Sequence, residues 1–219
     1  MKLIIIDDVN LGFSCYNIGY NEVEMAFCVM LQDIGNGSNM FRKKCADITE
    51  NDEKLIRQKI FDEKLERYAT DIIHSDNFQS LKQYIQHGNV SVYTHSLYVA
   101  SCAILINQKF NVGCNERELI RGALLHDYFL YDWHENSIDN IHPHLHGFYH
   151  PGIALKNADR DFELTLSEKD IIKKHMWPLT IIPPKYKEAW VVTTADKYSS
   201  FLETVRIRKG TGKADLYYA

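Results

Sequence analysis

Residues 116–127 read Glu-Arg-Glu-Leu-Ile-Arg-Gly-Ala-Leu-Leu-His-Asp. Acids open this stretch, where the positive end of a helix dipole favours them. Apolar residues follow, and a His-Asp doublet, His126-Asp127, closes it. The pattern predicts a helix over 116–126 that ends on two polar side chains in apolar company. A buried carboxylate without a partner is costly. Asp127, directly after Ala123-Leu124-Leu125-His126, therefore needs a metal, a base or a hydrogen-bond network.

The segments around this helix are also helical. Thr49-x-x-Asp52 resembles a capping box, and Leu55, Ile56, Ile60, Leu65, Tyr68, Ile72 and Ile73 then recur at helical spacing. A short helix is expected over 78–85, stopped by a turn at His87-Gly88-Asn89. Residues 90–106 form a strongly apolar helix, followed by a polar loop over 107–115. Pro151 suits a first helical turn, so a helix is expected from His150 to Ala158. Ser167-x-x-Asp170 reads as the cap of a helix through His175. Trp177-Pro178 ends that helix, and 186–208 is the last long one. There is no alternating strand pattern, no repeat and no glycine-rich nucleotide fingerprint. The expected fold is an all-α bundle. The expected division is a helical extension over 1–70, a principal domain over 71–209 and a tail over 210–219. Residues 1–45 give the weakest signal.

Composition limits the function. Of 219 residues, 45% are hydrophobic and 25% charged, as in a soluble globular chain with a real core. The net charge of −4 leaves no basic surplus for a phosphate backbone, so nucleic-acid binding is not expected. The five cysteines form no Cys-x-x-Cys pair, which argues against a disulfide framework and a thiolate zinc site. The longest early apolar run, Met25 to Leu31, falls far short of the roughly 20 residues of a membrane helix. No membrane association and a cytoplasmic location are expected. Oligomeric state is not legible.

Ten histidines are unusual, and six lie between His126 and His150. His95 falls early in the apolar 90–106 helix. His150 starts one helix and His175 ends another. Asp196 lies mid-helix among Val191, Val192 and Ala195. Imidazoles with carboxylates suit Mn, Fe, Zn or Ni better than Ca. Each residue also has a plain structural reading. His126 and Asp127 could cap a helix, and His95 could be a core histidine bonded to backbone. Asp196 could pair with Lys197 or Arg206. His175 could be a helix-end cation and His150 a helix cap. His134, His142, His144 and His146 suit a solvated loop or a lid.

The order His95, His126-Asp127, His150, His175, Asp196 resembles the HD-domain superfamily of metal-dependent phosphohydrolases, in its dinuclear branch. The likeness spans roughly residues 78 to 202. Leu-Leu-His-Asp-Tyr-Phe-Leu-Tyr-Asp-Trp-His (124–134), His-Gly-Phe-Tyr-His-Pro (146–151) and Lys-Lys-His-Met-Trp-Pro-Leu-Thr (173–180) look like bacterial HD proteins of unassigned substrate. The resemblance implies an HD-type helical bundle holding two divalent cations. His95, His126, Asp127 and Asp196 would hold one. Asp127 would bridge to a second, held also by His150 and His175. It further implies hydrolysis of a small phosphate ester or nucleotide. Some relatives continue the doublet as His-Asp-hydrophobic-Gly-Lys. Here Phe129 and Leu130 stand at the last two places, so that phosphate-binding lysine is missing. Arg121 and Lys197 are its candidate replacements, with His146 and Trp177 as candidate substrate contacts. The same ligand set also occurs in di-iron oxygenases of the superfamily, and a non-catalytic nucleotide- or protein-binding module is a third reading.

Overall fold

The computed structural model describes residues 50–132 and 146–205. The chain divides into two compact units, Met1–Ile56 and Arg57–Ala219, and the expected boundary at 70/71 falls inside the first described helix. The expectations for residues 1–45, for the histidines at 134, 142 and 144, and for the 210–219 tail lie outside the described residues.

Seven α-helices and one small hairpin make up the described residues, which are therefore all-α in class. Helix α1 spans Glu50–Ile73 and is kinked at Ala69, whose φ of −142° is not helical. From Arg57 onward it buries Phe61, Leu65, Ala69 and Ile72, a stripe at helical spacing. Helix α2 (Asp76–Ser80) starts at Ser75, whose side chain accepts from the Phe78 N–H. A 3-10 turn follows over Leu81–Gln83.

The expected helix over 78–85 ends early. Ile85–His87 is strand β1, paired antiparallel with β2, Val90–Ser91. The turn at Gly88 is as expected, and its φ of +60° is one that glycine adopts at little cost. The hairpin takes the first two residues of the expected 90–106 helix. Ser91 then caps α3 (Val92–Lys109) by accepting from the Thr94 N–H. Helix α3 is central: it packs on α4 (Glu116–Leu125) and on α7 (Lys187–Thr204). Its buried residues, among them Leu97, Tyr98, Val99 and Ala100, point in all directions, as expected of a helix enclosed by others.

Helix α4 begins at Asn115, which accepts from the Glu118 N–H. Helix α5 spans His146–Asp161, four residues longer at its start than expected. Pro151 therefore lies inside the helix rather than at its first turn, and His150 is not a helix cap. At Gly147 a Cβ would stand 2.8 Å from Leu179 Cδ2, so the early turn of α5 fits closely against the segment after α6. Helix α6 (Leu166–Lys174) starts at Thr165, not Ser167. Thr165 accepts from the Glu168 N–H, and Glu168 accepts from the Thr165 N–H at 2.9 Å. Asp170, inside α6, accepts from the Lys185 and Tyr186 N–H groups at 2.6 and 3.1 Å, which fastens the loop leading into α7. No described helix is long and apolar enough to cross a membrane.

The α4–α6 contact depends on Gly122. A Cβ there would overlap Ile171 Cδ1 and stand 3.0 and 3.1 Å from Ile171 Cγ2 and Cβ. The last two atoms are too close to the backbone to swing away. Gly122→Ala is expected to cost about 1–3 kcal/mol, as overpacking does, even though alanine favours helix. A thermal melt of the variant checks this; an unchanged Tm would show that the two helices separate freely.

Candidate metal centre

Two of the buried histidines end helices. His126 is the C-cap of α4 and His175 the C-cap of α6. The last carbonyls of a helix lack partners within it. Each histidine serves one: His126 Nδ1 donates to Ala123 O at 2.7 Å, and His175 Nδ1 to Ile172 O at 2.9 Å. His95, one turn into α3, turns its Nδ1 to Glu203 on α7, at 3.0 and 3.1 Å from the two carboxylate oxygens. With a proton held on Nδ1, each of these rings presents an Nε2 lone pair to the interior.

These Nε2 atoms converge on two carboxylates. His95 Nε2 lies 3.2 Å from Asp196 Oδ1, and His126 Nε2 lies 3.2 Å from Asp127 Oδ2. The crossed distances, His95 to Asp127 Oδ2 and His126 to Asp196 Oδ1, are both 3.8 Å. On the other side of Asp127, Oδ1 lies 3.1 Å from His150 Nε2 and 3.4 Å from His175 Nε2. The last two nitrogens are 2.8 Å apart. The donors form two buried groups, His95–His126–Asp196 and Asp127–His150–His175, each compact enough to hold one cation. Asp127 turns one oxygen toward each group.

A nitrogen lone pair and a carboxylate oxygen at this separation repel unless positive charge lies between them. His126 Nε2 and Asp127 Oδ1 are buried and form no hydrogen bond. The donor set, imidazole nitrogen with carboxylate oxygen, suits a first-row transition metal. The residues therefore fit a pair of divalent cations. Protons are the only substitute the metal-free chain has. Burial opposes a charge on His95, but the Glu203 carboxylate and the bond to Asp196 outweigh it, holding its pKa well above the usual value. Burial likewise opposes charge on His126, and Asp127 outweighs it in the same direction. For Asp127, burial favours the neutral acid, yet His126 and His150 hold its pKa well below the ordinary range. Asp196 is lowered too: its bond to His95 overcomes burial. His175 goes the other way, because burial prevails over Asp127 and lowers its pKa.

These directions set a pH dependence. A histidine whose folded pKa is raised stabilises the fold below its unfolded value of about 6.5, and loses that contribution as pH rises through the folded value. His175, whose folded pKa is lowered, acts in the opposite sense, but its contribution is nearly complete within about one pH unit above 6.5. The Tm of metal-free protein is therefore expected to fall from pH 6.5 to 8.5, and added divalent metal to restore it. A metal-free Tm that rises over this window would contradict the proton bridging described.

The six residues His95, His126, Asp127, His150, His175 and Asp196 thus meet at one place. Arg121 does not join them. Its Nε donates to Glu168 at 3.1 Å and its Nη1 to Asp71 at 2.5 Å, an ion-paired position between α1, α4 and α6. Lys197 is exposed beside the centre, and its Nζ donates to the carbonyl of His175 at 3.2 Å. Trp177 packs edge-on against Trp190, with ring centroids 4.8 Å apart. His146 opens α5, and its side chain lies outside the described residues.

Three contributors escaped the sequence reading. Glu203 lies behind His95. Gln86, on β1, donates to Asp127 Oδ2 at 2.7 Å. Asn157, on α5, donates to the Tyr128 and Phe129 carbonyls at 3.2 and 3.0 Å and so holds the turn after the doublet. Glu203 carried a signal, since it follows Asp196 by two helical turns on the same helix face. Gln86 carried none, because its approach depends on the hairpin. Comparisons of the chain with protein-family models, with curated proteins and with solved structures find no match.

Proposed function

We propose that the protein is a metal-dependent phosphohydrolase of HD-domain type, acting on a small phosphate ester such as a nucleotide. The observation that carries this reading is the two-sided use of Asp127, whose oxygens each face a separate pair of imidazoles. His95, His126, Asp127 and Asp196 would hold one divalent cation, and Asp127, His150 and His175 the other; Fe, Mn, Zn and Ni all suit these donors. A cation pair sharing one carboxylate supplies, when bound, a water acidic enough to ionise near neutral pH and positive charge for phosphoryl oxygens.

The charge balance favours an anionic substrate. Two divalent cations would be met by two ligand carboxylates, Asp127 and Asp196, and by Glu203 behind His95, which leaves a net positive charge. The chain's own work is positional. Ala123 O, Ile172 O and Glu203 hold three rings with Nε2 facing inward, and Gln86 holds Asp127 Oδ2. Burial of all six ligands excludes bulk water, so charges here act at lower dielectric than at the surface. Lys197, whose Nζ donates to the His175 carbonyl, would supply a positive charge beside the centre. Arg121 has its guanidinium occupied by Glu168 and Asp71, and its part in this reading is to support α4 from behind.

Elemental analysis of the purified chain, with a screen of nucleotides and phosphate esters, tests the proposal. The expected result is close to two ions per chain and phosphate release that chelation abolishes and metal restores. A metal-replete protein that releases no phosphate from any of them, or that consumes oxygen instead, would overturn it.

A further inference from the structure

We infer that the two cation positions are unequal and fill in order, the His95–His126–Asp127–Asp196 position first, and that Glu203 sets this order. The inference rests on the reading of the six residues as a two-cation centre, and concerns how that centre is loaded.

The asymmetry lies in charge. The first position faces two carboxylates, Asp196 Oδ1 and Asp127 Oδ2. The second faces one, Asp127 Oδ1, together with two imidazoles. The groups behind the ligands sharpen the difference. His126 and His175 donate to the neutral backbone carbonyls of Ala123 and Ile172. His95 donates to a carboxylate whose side chain is fully buried, Glu203, at 3.0 Å. A carboxylate behind a ligating imidazole raises its basicity and draws the cation through the ring. Burial leaves that attraction largely unscreened.

Gln86 and Ser200 fall on the same side. Gln86 Nε2 donates to Asp127 Oδ2 at 2.7 Å, and Ser200 Oγ to Asp196 Oδ1 at 3.2 Å. Both fix the oxygens that face the first cation. Asp127 Oδ1, which faces the second, receives no such bond. The first position therefore faces one more carboxylate than the second, and both of its carboxylate oxygens are held. The second, with three protein donors, leaves places for water and for a substrate oxygen. By linkage, a phosphorylated substrate that binds the second cation must tighten it, and the cation must tighten the substrate by the same factor. Glu203 is a positioning residue here: it acts through His95.

Titration of metal-free protein with Mn²⁺, followed by electron paramagnetic resonance and calorimetry, tests this. The first equivalent is expected to give an isolated-ion spectrum and to bind at least about 10-fold more tightly than the second, whose arrival produces a coupled spectrum. Glu203→Gln, which keeps the shape and can still accept from His95, is expected to weaken the first step about 10- to 100-fold and leave the second nearly unchanged. Glu203→Asp should recover part of the loss. His150→Ala leaves Glu203 in place and is expected to keep one tight ion and lose the second. Two equal steps in the unaltered protein, equal weakening of both by Glu203→Gln, or loss of the tight ion in His150→Ala would each overturn the inference. Absence of any bound Mn²⁺ would instead overturn the two-cation reading beneath it.

Discussion

Asp127→Ala protein is expected to retain neither cation through gel filtration and to lose phosphate release by roughly three orders of magnitude or more. The size follows from what is removed. A metal pair contributes several kcal/mol to transition-state charge stabilisation, and each 1.36 kcal/mol is about tenfold in rate. Among the described residues, Asp127 is the side chain that addresses both positions, with Oδ2 at 3.2 Å from His126 and Oδ1 at 3.1 Å from His150. Its loss leaves the four imidazoles and a single carboxylate, Asp196. His150→Ala removes a donor from one position only, so metal analysis of the two variants side by side separates a shared ligand from an unshared one. Full metal content and full turnover in Asp127→Ala would remove the basis for the proposed function.

Arg121→Met is expected to leave metal content intact and to cost about 3–5 kcal/mol of stability, the usual penalty for breaking a buried ion pair on one side. For a domain of this size that lowers Tm by roughly 10 °C or more. The contact to Glu168 decides the magnitude, although the contact to Asp71 is shorter. Glu168 has a fully buried side chain, whereas Asp71 is half exposed and can return to water. Burial already raises the Glu168 pKa against the pull of its bond to Thr165 and the charges of Arg121 and Arg117. Without Arg121 the carboxyl gains further from protonation, so the penalty should shrink as the pH is lowered toward its titration range. Thermal melts at two pH values and metal analysis check both statements. Arg121→Met with an unchanged Tm but lost turnover would return this residue to the phosphate-binding role that its place near His126 suggests.

The sequence predicted the helices and the six convergent side chains more readily than it predicted what surrounds them. Five of those six lie at a helix end or inside a helix, where the apolar period fixes direction from local residues alone. His150 was expected at the start of a helix, because Pro151 looked like a first-turn proline, and it lies inside that helix instead. The early turn of α5 lies close to Leu179, 32 residues further on, an approach no local pattern shows. The β1–β2 hairpin is local, with Ile85 paired to Ser91, but its five strand residues carry too little period to register. The start of α6 was legible. Thr165-x-x-Glu168 is the better capping box, because a glutamate reaches back to the cap N–H. The engagement of Arg121 was not legible, because Asp71 and Glu168 lie 50 and 47 residues away.

The bonds from His126 to Ala123 O and from His175 to Ile172 O each reach back only three residues, within the last turn of the ring's own helix. Ring orientation is thus settled when the helices form, and a cation entering or leaving need not refold the chain. Exchange by dialysis against another divalent metal should accordingly be reversible. Which element the protein carries in a cell would then follow the supply around it as much as any preference of its own.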